Sequence, residues 1–249
     1  MQLPTLYRSA LVTGASRGIG AAICRTLAGL GMQVHAVARS ADSLRALCEE
    51  TGAIAHCADV TDLDSMERLL STLDVDVLVN NAGQVAALGP LHDLDAAAID
   101  SMIDVNLRAP LHLMRLVLPG MIRRGRGHIV NIGSTSGTFV FPGTAPYAAA
   151  KAGMTAANRV LRHDLAGRNI RVTEISPGRV RTDIYRDALD GEAGKLADMY
   201  DKFRTVHPQD IAAAVAAALT MPEQVDISFM EVVPTDQAPG GHAYAPAKS

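Results

Sequence analysis

The chain has 249 residues, of which 48% are hydrophobic and 20% charged. That composition excludes disorder, because enough apolar surface can be buried to offset the entropy of ordering. A formal charge of −3, no Trp and 4% aromatic residues leave neither a basic face nor a stacking platform for nucleic acid.

Residues 1–5 show no basic segment leading into an apolar run, so no signal peptide and a cytoplasmic protein are expected. Residues 10–13 read as the first strand, and a glycine-rich turn leads into a helix over 19–30. Strands follow at 34–38, 54–57 and 75–79, separated by helices at 41–51 and 63–73. A long helix is expected over 94–124, then a strand at 128–132, a helix at 146–167 and a strand at 171–175. The stretch from about 180 to 205 mixes charge with Ile184, Tyr185, Met199, Tyr200 and Phe203, a pattern that suits a flap over a site. A helix at 208–221 and a strand at 227–233 complete the series. The most apolar run, 211–219, has nine residues, far short of the roughly 20 that span a bilayer. The tail from 234 to 249 carries Pro234, Pro239, Pro246 and Gly240-Gly241, and reads as an arm or a frayed end.

Strict alternation of β and α predicts an α/β fold: a single doubly wound, Rossmann-type parallel sheet with helices on both faces. No linker or repeat divides residues 1–249, so one domain is expected. Cys24, Cys48 and Cys57 fit no CxxC pair, and the eight His form no i,i+4 pair, so neither a disulfide nor a metal site is expected.

Thr13-Gly14-Ala15-Ser16-Arg17-Gly18-Ile19-Gly20 stands where the first strand gives way to the first helix. Gly14 permits the tight turn, Gly18 lets the backbone approach a pyrophosphate, and Gly20 lets the helix sit close to the sheet. The second strand ends Val37-Ala38-Arg39-Ser40, without the carboxylate that would bond the adenosine ribose of NAD. Arg39 can instead pair with a 2′-phosphate, and Arg17 can reach the same group, so NADP(H) is expected.

Tyr147-x3-Lys151 places a phenol and an ammonium about one helical turn apart on one face. Ser134 follows the strand at 128–132, at an end that opens onto the ligand crevice of such a sheet. A free phenol titrates near 10, and bringing it down about three units takes about 4 kcal/mol. The Lys151 ammonium and an oxidised nicotinamide are expected to supply that preference. Tyr147 would then exchange a proton with the alcohol oxygen, and Ser134 would orient that oxygen.

With these motifs in hand, the chain resembles the short-chain dehydrogenase/reductase family over essentially its whole length. The matching residues are 13–20, Asp59, Asn80-Asn81-Ala82-Gly83, Asn106, Ser134, Tyr147-x3-Lys151, Pro177-Gly178 and Thr182. The resemblance implies a cofactor site of Gly14, Ser16, Arg17, Gly18, Ile19, Gly20, Arg39, Asp59, Val60, Asn80, Ala82, Gly83, Tyr147, Lys151, Pro177, Gly178, Val180 and Thr182. Asp59 and Val60 would hold the adenine, Asn80 would stabilise the central turn, and Ala82-Gly83 would line the ribose. Val180 and Thr182 would anchor the carboxamide, and Lys151 would bond the nicotinamide ribose. The implied catalytic set is Asn106, Ser134, Tyr147 and Lys151, with Asn106 holding a water in a relay to Lys151.

Residues 102–104, 117–121, 127–135, 171–174 and 231–237 are similar to the NADP-dependent 3-hydroxy acid (serine/allo-threonine) dehydrogenases. That subgroup implies a small-molecule substrate and a homotetramer paired through the helices at 94–124 and 146–167 and the last strands. Arg179 and Arg181 depart from its pattern. In an extended loop they would share a face and could hold a substrate carboxylate, or they could point to solvent or pair with Asp183 and Asp187. The alternatives are a 3-oxoacyl-thioester (acyl carrier protein) reductase, a general carbonyl reductase, and a dinucleotide-sensing regulator.

Overall fold

The computed structural model describes residues 6–189, 191, 194, 200–201 and 204–237. Met199, Phe203, Pro239, Gly240, Gly241 and Pro246, named above for the flap and tail, lie outside the described residues.

Seven strands form one parallel sheet in the order β3-β2-β1-β4-β5-β6-β7. They are β1 (Ser9–Thr13), β2 (Gln33–Ala38), β3 (Ile54–Cys57), β4 (Val77–Asn80), β5 (Gly127–Ile132), β6 (Ile170–Pro177) and β7 (Phe229–Val232). The central strands β1, β4, β5 and β6 are buried along their whole length, because helices cover both faces. On one face Ala10, Val12, Val77, Val79 and Ile175 meet α1 (Gly18–Gly29), α2 (Ala41–Thr51) and Ile211 and Val215 of a helix at Pro208–Leu219. On the other, Leu11, Leu78, Ile129 and Val172 meet α3 (Leu63–Ser71), α5 (Ala109–Arg124) and α6 (Ala145–Asp164). Strand order reverses between β1 and β4, and in such sheets the ligand crevice opens there, at the carboxyl ends of the strands.

The helix expected over 94–124 is interrupted. It runs as α4 (Ala96–Ile103), a π-helical turn (Asp104–Arg108) and α5. Pro110 has no N–H to give to the regular ladder, and the Ala109 N–H reaches back five residues to the Asp104 carbonyl. Such single-turn π segments often mark functional positions, and this one carries Asn106. Among the described residues no helix is long and apolar enough to cross a membrane.

Candidate active site

A cavity of about 810 Å³ opens at the carboxyl ends of β1, β2, β4, β5 and β6, within the size range of cofactor pockets. Gly14, Ser16, Arg17, Gly18, Ile19, Arg39, Asp59, Val60, Ala82, Gly83, Ser134, Tyr147, Lys151, Pro177, Gly178, Val180 and Thr182 line it. Gly20, Asn80 and Asn106, expected in the same set, do not.

The glycine turn is built by close approach. Gly14 and Gly18 have φ of 64° and 54°, values that L side chains rarely adopt. A Cβ on Gly14 would lie 2.8 Å from the Ala82 Cα, and one on Gly20 would overlap the Gly14 carbonyl. No side chain caps the start of α1, so its first N–H groups remain suited to an anion. These features fit the pyrophosphate of a dinucleotide.

The central turn differs from expectation in one residue. Asn80 is buried, and its amide donates to Asn131 Oδ1 at 2.7 Å, which ties β4 to β5 rather than lining the cavity. Asn81 does the bridging: its Nδ2 donates to the carbonyls of Thr13 (2.9 Å) and Gly14 (3.2 Å). Thr13 Oγ1 accepts in return from the N–H groups of Asn81 and Ala82, both at 3.0 Å.

At the adenosine end the Arg39 side chain is 74% exposed and stands 3.9 Å from Asp59. Burial alone would raise the Asp59 carboxyl, but hydrogen bonds from Thr61 and the Arg39 guanidinium outweigh it and hold it below its ordinary value. Ser40 caps α2, and Ser40 and Ser43 also line this end of the cavity. Neither serine carries a signal in the sequence beyond its proximity to Arg39.

At the other end Tyr147 and Lys151 are 6% and 5% exposed. Ser134 stands by Tyr147 and acts to lower the pKa of its phenol, and its Oγ accepts from the Ser136 N–H at 3.1 Å. Lys151 Nζ lies 5.7 Å from the Tyr147 ring centroid and donates to the Ile132 carbonyl at 2.8 Å. The expected downward shift of the phenol is not present in the chain itself. Burial pushes Tyr147 well above its ordinary value and Tyr185 adds to the rise, opposed by the neighbouring Ser134 hydroxyl. Burial also draws the Lys151 ammonium down to about 8, against the pull of Glu174.

Asn106 is clamped rather than open. Its Nδ2 donates to the carbonyls of Gln84 (2.9 Å) and Met102 (2.8 Å), and its Oδ1 accepts from the Gln84 N–H at 3.3 Å. A Cβ on Gly83 would meet Asn106 Oδ1 at 2.9 Å and Lys151 Nζ at 3.9 Å, so the two side chains face each other across that glycine.

Val85, Met102, Ile184 and Tyr185 pack around Tyr147 as an apolar wall. The segment after Gly178 is extended: Val180 pairs in parallel with Val206, and both Arg179 and Arg181 line the cavity. Among the described ion pairs Arg181 is joined to Asp201 rather than Asp183, and the Asp187 side chain lies outside the described residues. The Arg181 guanidinium donates to Asp201 at 2.6 Å and lies over the Tyr200 ring at 5.6 Å, both from the far end of the flap segment.

A family model describing the short chain dehydrogenases matches residues 8–193. An uncharacterized short-chain type dehydrogenase/reductase of Sinorhizobium fredii is 42% identical over 235 residues, 94% of each chain. An NADP-dependent 3-hydroxy acid dehydrogenase of Salmonella typhi is 38% identical over 239 residues, 93% of this chain and 96% of the relative. The closed form of a serine dehydrogenase complexed with NADP+ superposes with a TM-score of 0.91 at 34% identity, covering 96% of this chain and all of that one.

Proposed function

The chain belongs to the short-chain dehydrogenase/reductase family and is an oxidoreductase of that class, and from that premise we propose that it interconverts the alcohol and carbonyl forms of a small 3-hydroxy acid with NADP(H). One observation carries the proposal. Ser134, Tyr147 and Lys151 meet at one end of a cavity whose other end presents Arg39.

Gly14, Gly18 and the start of α1 hold the pyrophosphate, and Arg39 and Arg17 hold the 2′-phosphate. Asp59 and Val60 border the adenine, and Val180 and Thr182 the carboxamide. When bound, the nicotinamide supplies the hydride chemistry. The protein's part is to manage one proton and one oxygen. Burial keeps the Tyr147 Oη protonated at neutral pH, which suits reduction, where that proton passes to the oxygen developing negative charge. Ser134 Oγ bonds the same oxygen and fixes its position beside the phenol. Lys151, with its ammonium drawn down to about 8, is still mostly protonated at neutral pH. Its positive charge favours the phenolate left by the transfer. Asn106, facing Lys151 across Gly83, would stand where a water in the relay to Lys151 is held. The wall of Val85, Met102, Ile184 and Tyr185 keeps bulk water from the phenol.

The pair Arg179 and Arg181 supports an anionic substrate. The Arg181–Asp201 bond joins side chains that are 45% and 59% exposed, and pairs of that kind contribute at most about 1 kcal/mol. A substrate carboxylate can therefore displace Asp201 at small cost. The likeness to 3-hydroxy acid dehydrogenases supports the same class.

The assay is NADP+ reduction at 340 nm with L-serine, L-allo-threonine and 3-hydroxybutyrate, set against hydroxyacyl thioesters and alcohols lacking a carboxylate. Preference for the free acids is expected, and equal rates for the uncharged alcohols would sink the substrate assignment. A homotetramer is proposed as well. Leu111 and Ile122 on α5 and Val160 on α6 are 41%, 37% and 59% exposed, apolar surface on the helices that pair in the family. A monomeric mass by light scattering at micromolar concentration would contradict it.

A further inference from the structure

Beneath Ser134, Tyr147 and Lys151 lies a carboxylate that the proposed reaction does not use. Glu174 sits in the middle of β6, 2% exposed, on the sheet face covered by α6. Its Oε1 accepts from Thr155 Oγ1 at 2.8 Å and its Oε2 from Asn158 Nδ2 at 3.0 Å. Thr155 and Asn158 stand about one and two turns beyond Lys151 on α6. Thr155 Oγ1 also lies 3.2 Å from the Lys151 carbonyl. A hydroxyl has one proton, and the nearer, charged acceptor is Glu174. The contacts continue sideways, since Asn158 Oδ1 accepts from Asn131 at 2.5 Å and Asn131 Oδ1 from Asn80 at 2.7 Å. One hydrogen-bonded row thus crosses β6, β5 and β4 under the site.

The same carboxylate lies against the turn that carries the serine. A Cβ on Gly133 would overlap Glu174 Oε1 and come within 3.1 Å of its Cδ and Cγ. Lys151 Nζ bonds the carbonyl of Ile132, the residue before. Anion and ammonium therefore flank one short stretch, 132–133. A buried charge is costly unless another charge or hydrogen bonds compensate it. The titratable groups that α6 turns toward this region are Lys151 and Tyr147. From the strands beside β6 come Asn131 of β5 and Phe229 of β7, neither of them charged.

We propose that Glu174 is a positioning residue: its buried carboxylate is the counter-charge that keeps Lys151 protonated, and its bonds to Thr155 and Asn158 hold α6 in register with the Ser134 turn. The proposal rests on the reductase reading only for its kinetic consequence; the electrostatic part belongs to the chain alone. Burial draws the Lys151 ammonium down, and the field of Glu174 opposes that.

The test uses the full chain labelled with [13Cε]lysine, which has only four lysines, so Lys151 can be assigned by comparison with Lys151→Arg. Glu174→Gln keeps the shape and removes the charge. The Lys151 titration midpoint is expected to fall by about one pH unit, the lower end of what an opposite charge beyond direct contact produces. Glu174→Asp keeps the charge and should hold the midpoint near wild type. Glu174→Thr, a β-branched residue suited to a strand, carries the same expectation as Gln should the glutamine amide crowd Asn158. In parallel, the alkaline limb of kcat/KM for carbonyl reduction should move down with the midpoint in Glu174→Gln and Glu174→Thr, and the rate at pH 6.5 should fall further in Glu174→Thr, which loses the bonds to Thr155 and Asn158 as well as the charge. An unmoved midpoint in both neutral variants overturns the proposal even if reductase activity is intact. A shifted midpoint in a chain with no NADPH turnover would uphold it and overturn the reductase reading instead.

Discussion

Replacing Arg39 by Ala removes the guanidinium at the end of β2 and leaves the turn backbone unchanged. The side chain is 74% exposed and 3.9 Å from Asp59, so it carries little of the fold, and stability should change by less than about 0.5 kcal/mol. Toward a 2′-phosphate the same group is a charge-assisted donor, worth about 1.5–3 kcal/mol where water is excluded. Screening at this exposure reduces that to about 1–2 kcal/mol, or about 5- to 30-fold in affinity. NADH has no 2′-phosphate, and its kcat/KM should stay within about twofold. Removal of Arg39 also leaves Asp59 uncompensated beside the adenosine end, which penalises the phosphorylated cofactor further. Initial rates of carbonyl reduction with both cofactors, at low and high ionic strength, measure the effect. The NADPH penalty should shrink as salt rises. A wild type that prefers NADH, or a variant that loses both cofactors equally, would refute the assignment of Arg39 to the phosphate.

Tyr147→Phe removes the transferable proton and should lower kcat by about 10²- to 10⁴-fold with NADPH binding, followed by fluorescence, nearly unchanged; substantial residual turnover would count against the proposed acid. Arg181→Ala should raise KM for a 3-hydroxy acid about tenfold, equivalent to about 1.4 kcal/mol, and leave an uncharged alcohol of similar size within about twofold; equal effects on the two would remove the carboxylate anchor. With Tyr147 held protonated by burial, the oxidation rate should climb with pH through the alkaline range while reduction declines above about 8, as Lys151 loses its proton; parallel profiles for the two directions would contradict this. Burial, aided by Arg171, holds His128 neutral far below 6.5, so the unfolded chain takes up a proton on acidification that the folded chain does not, and stability present above 6.5 is lost below it. At pH 5 that loss approaches about 2 kcal/mol for this one group, and His128→Gln should close part of its Tm gap to wild type between pH 7 and 5; a constant gap would show that His128 does not titrate on unfolding.

The elements and their alternation were legible in the chain because each rests on short-range rules. Hydrophobic period separates strand from helix, and glycines at 14 and 18 mark backbone that L side chains avoid. A four-residue spacing puts Tyr147 and Lys151 on one helical face. The break at residues 104–108 was also within reach, since Pro110 lacks the N–H that an unbroken helix would need, but a long apolar stripe concealed it. Other features arise only when distant segments meet. Asn80 and Asn81 are neighbours in sequence, yet the pleat sends one to Asn131 and the other to the carbonyls of the glycine turn. Arg181 finds Asp201, twenty residues away, at the other end of the flap segment. Most of all, the direction in which Tyr147 shifts is set by enclosure. Spacing placed an ammonium beside a phenol and, together with an oxidised nicotinamide, pointed downward; in the chain alone the packing of Val85, Met102 and Tyr185 around the ring removes the water that would stabilise a phenolate. Covalent geometry and local periodicity act within a few residues. Desolvation and through-space fields depend on what the rest of the chain brings alongside, and that is set by the packed sheet and helices.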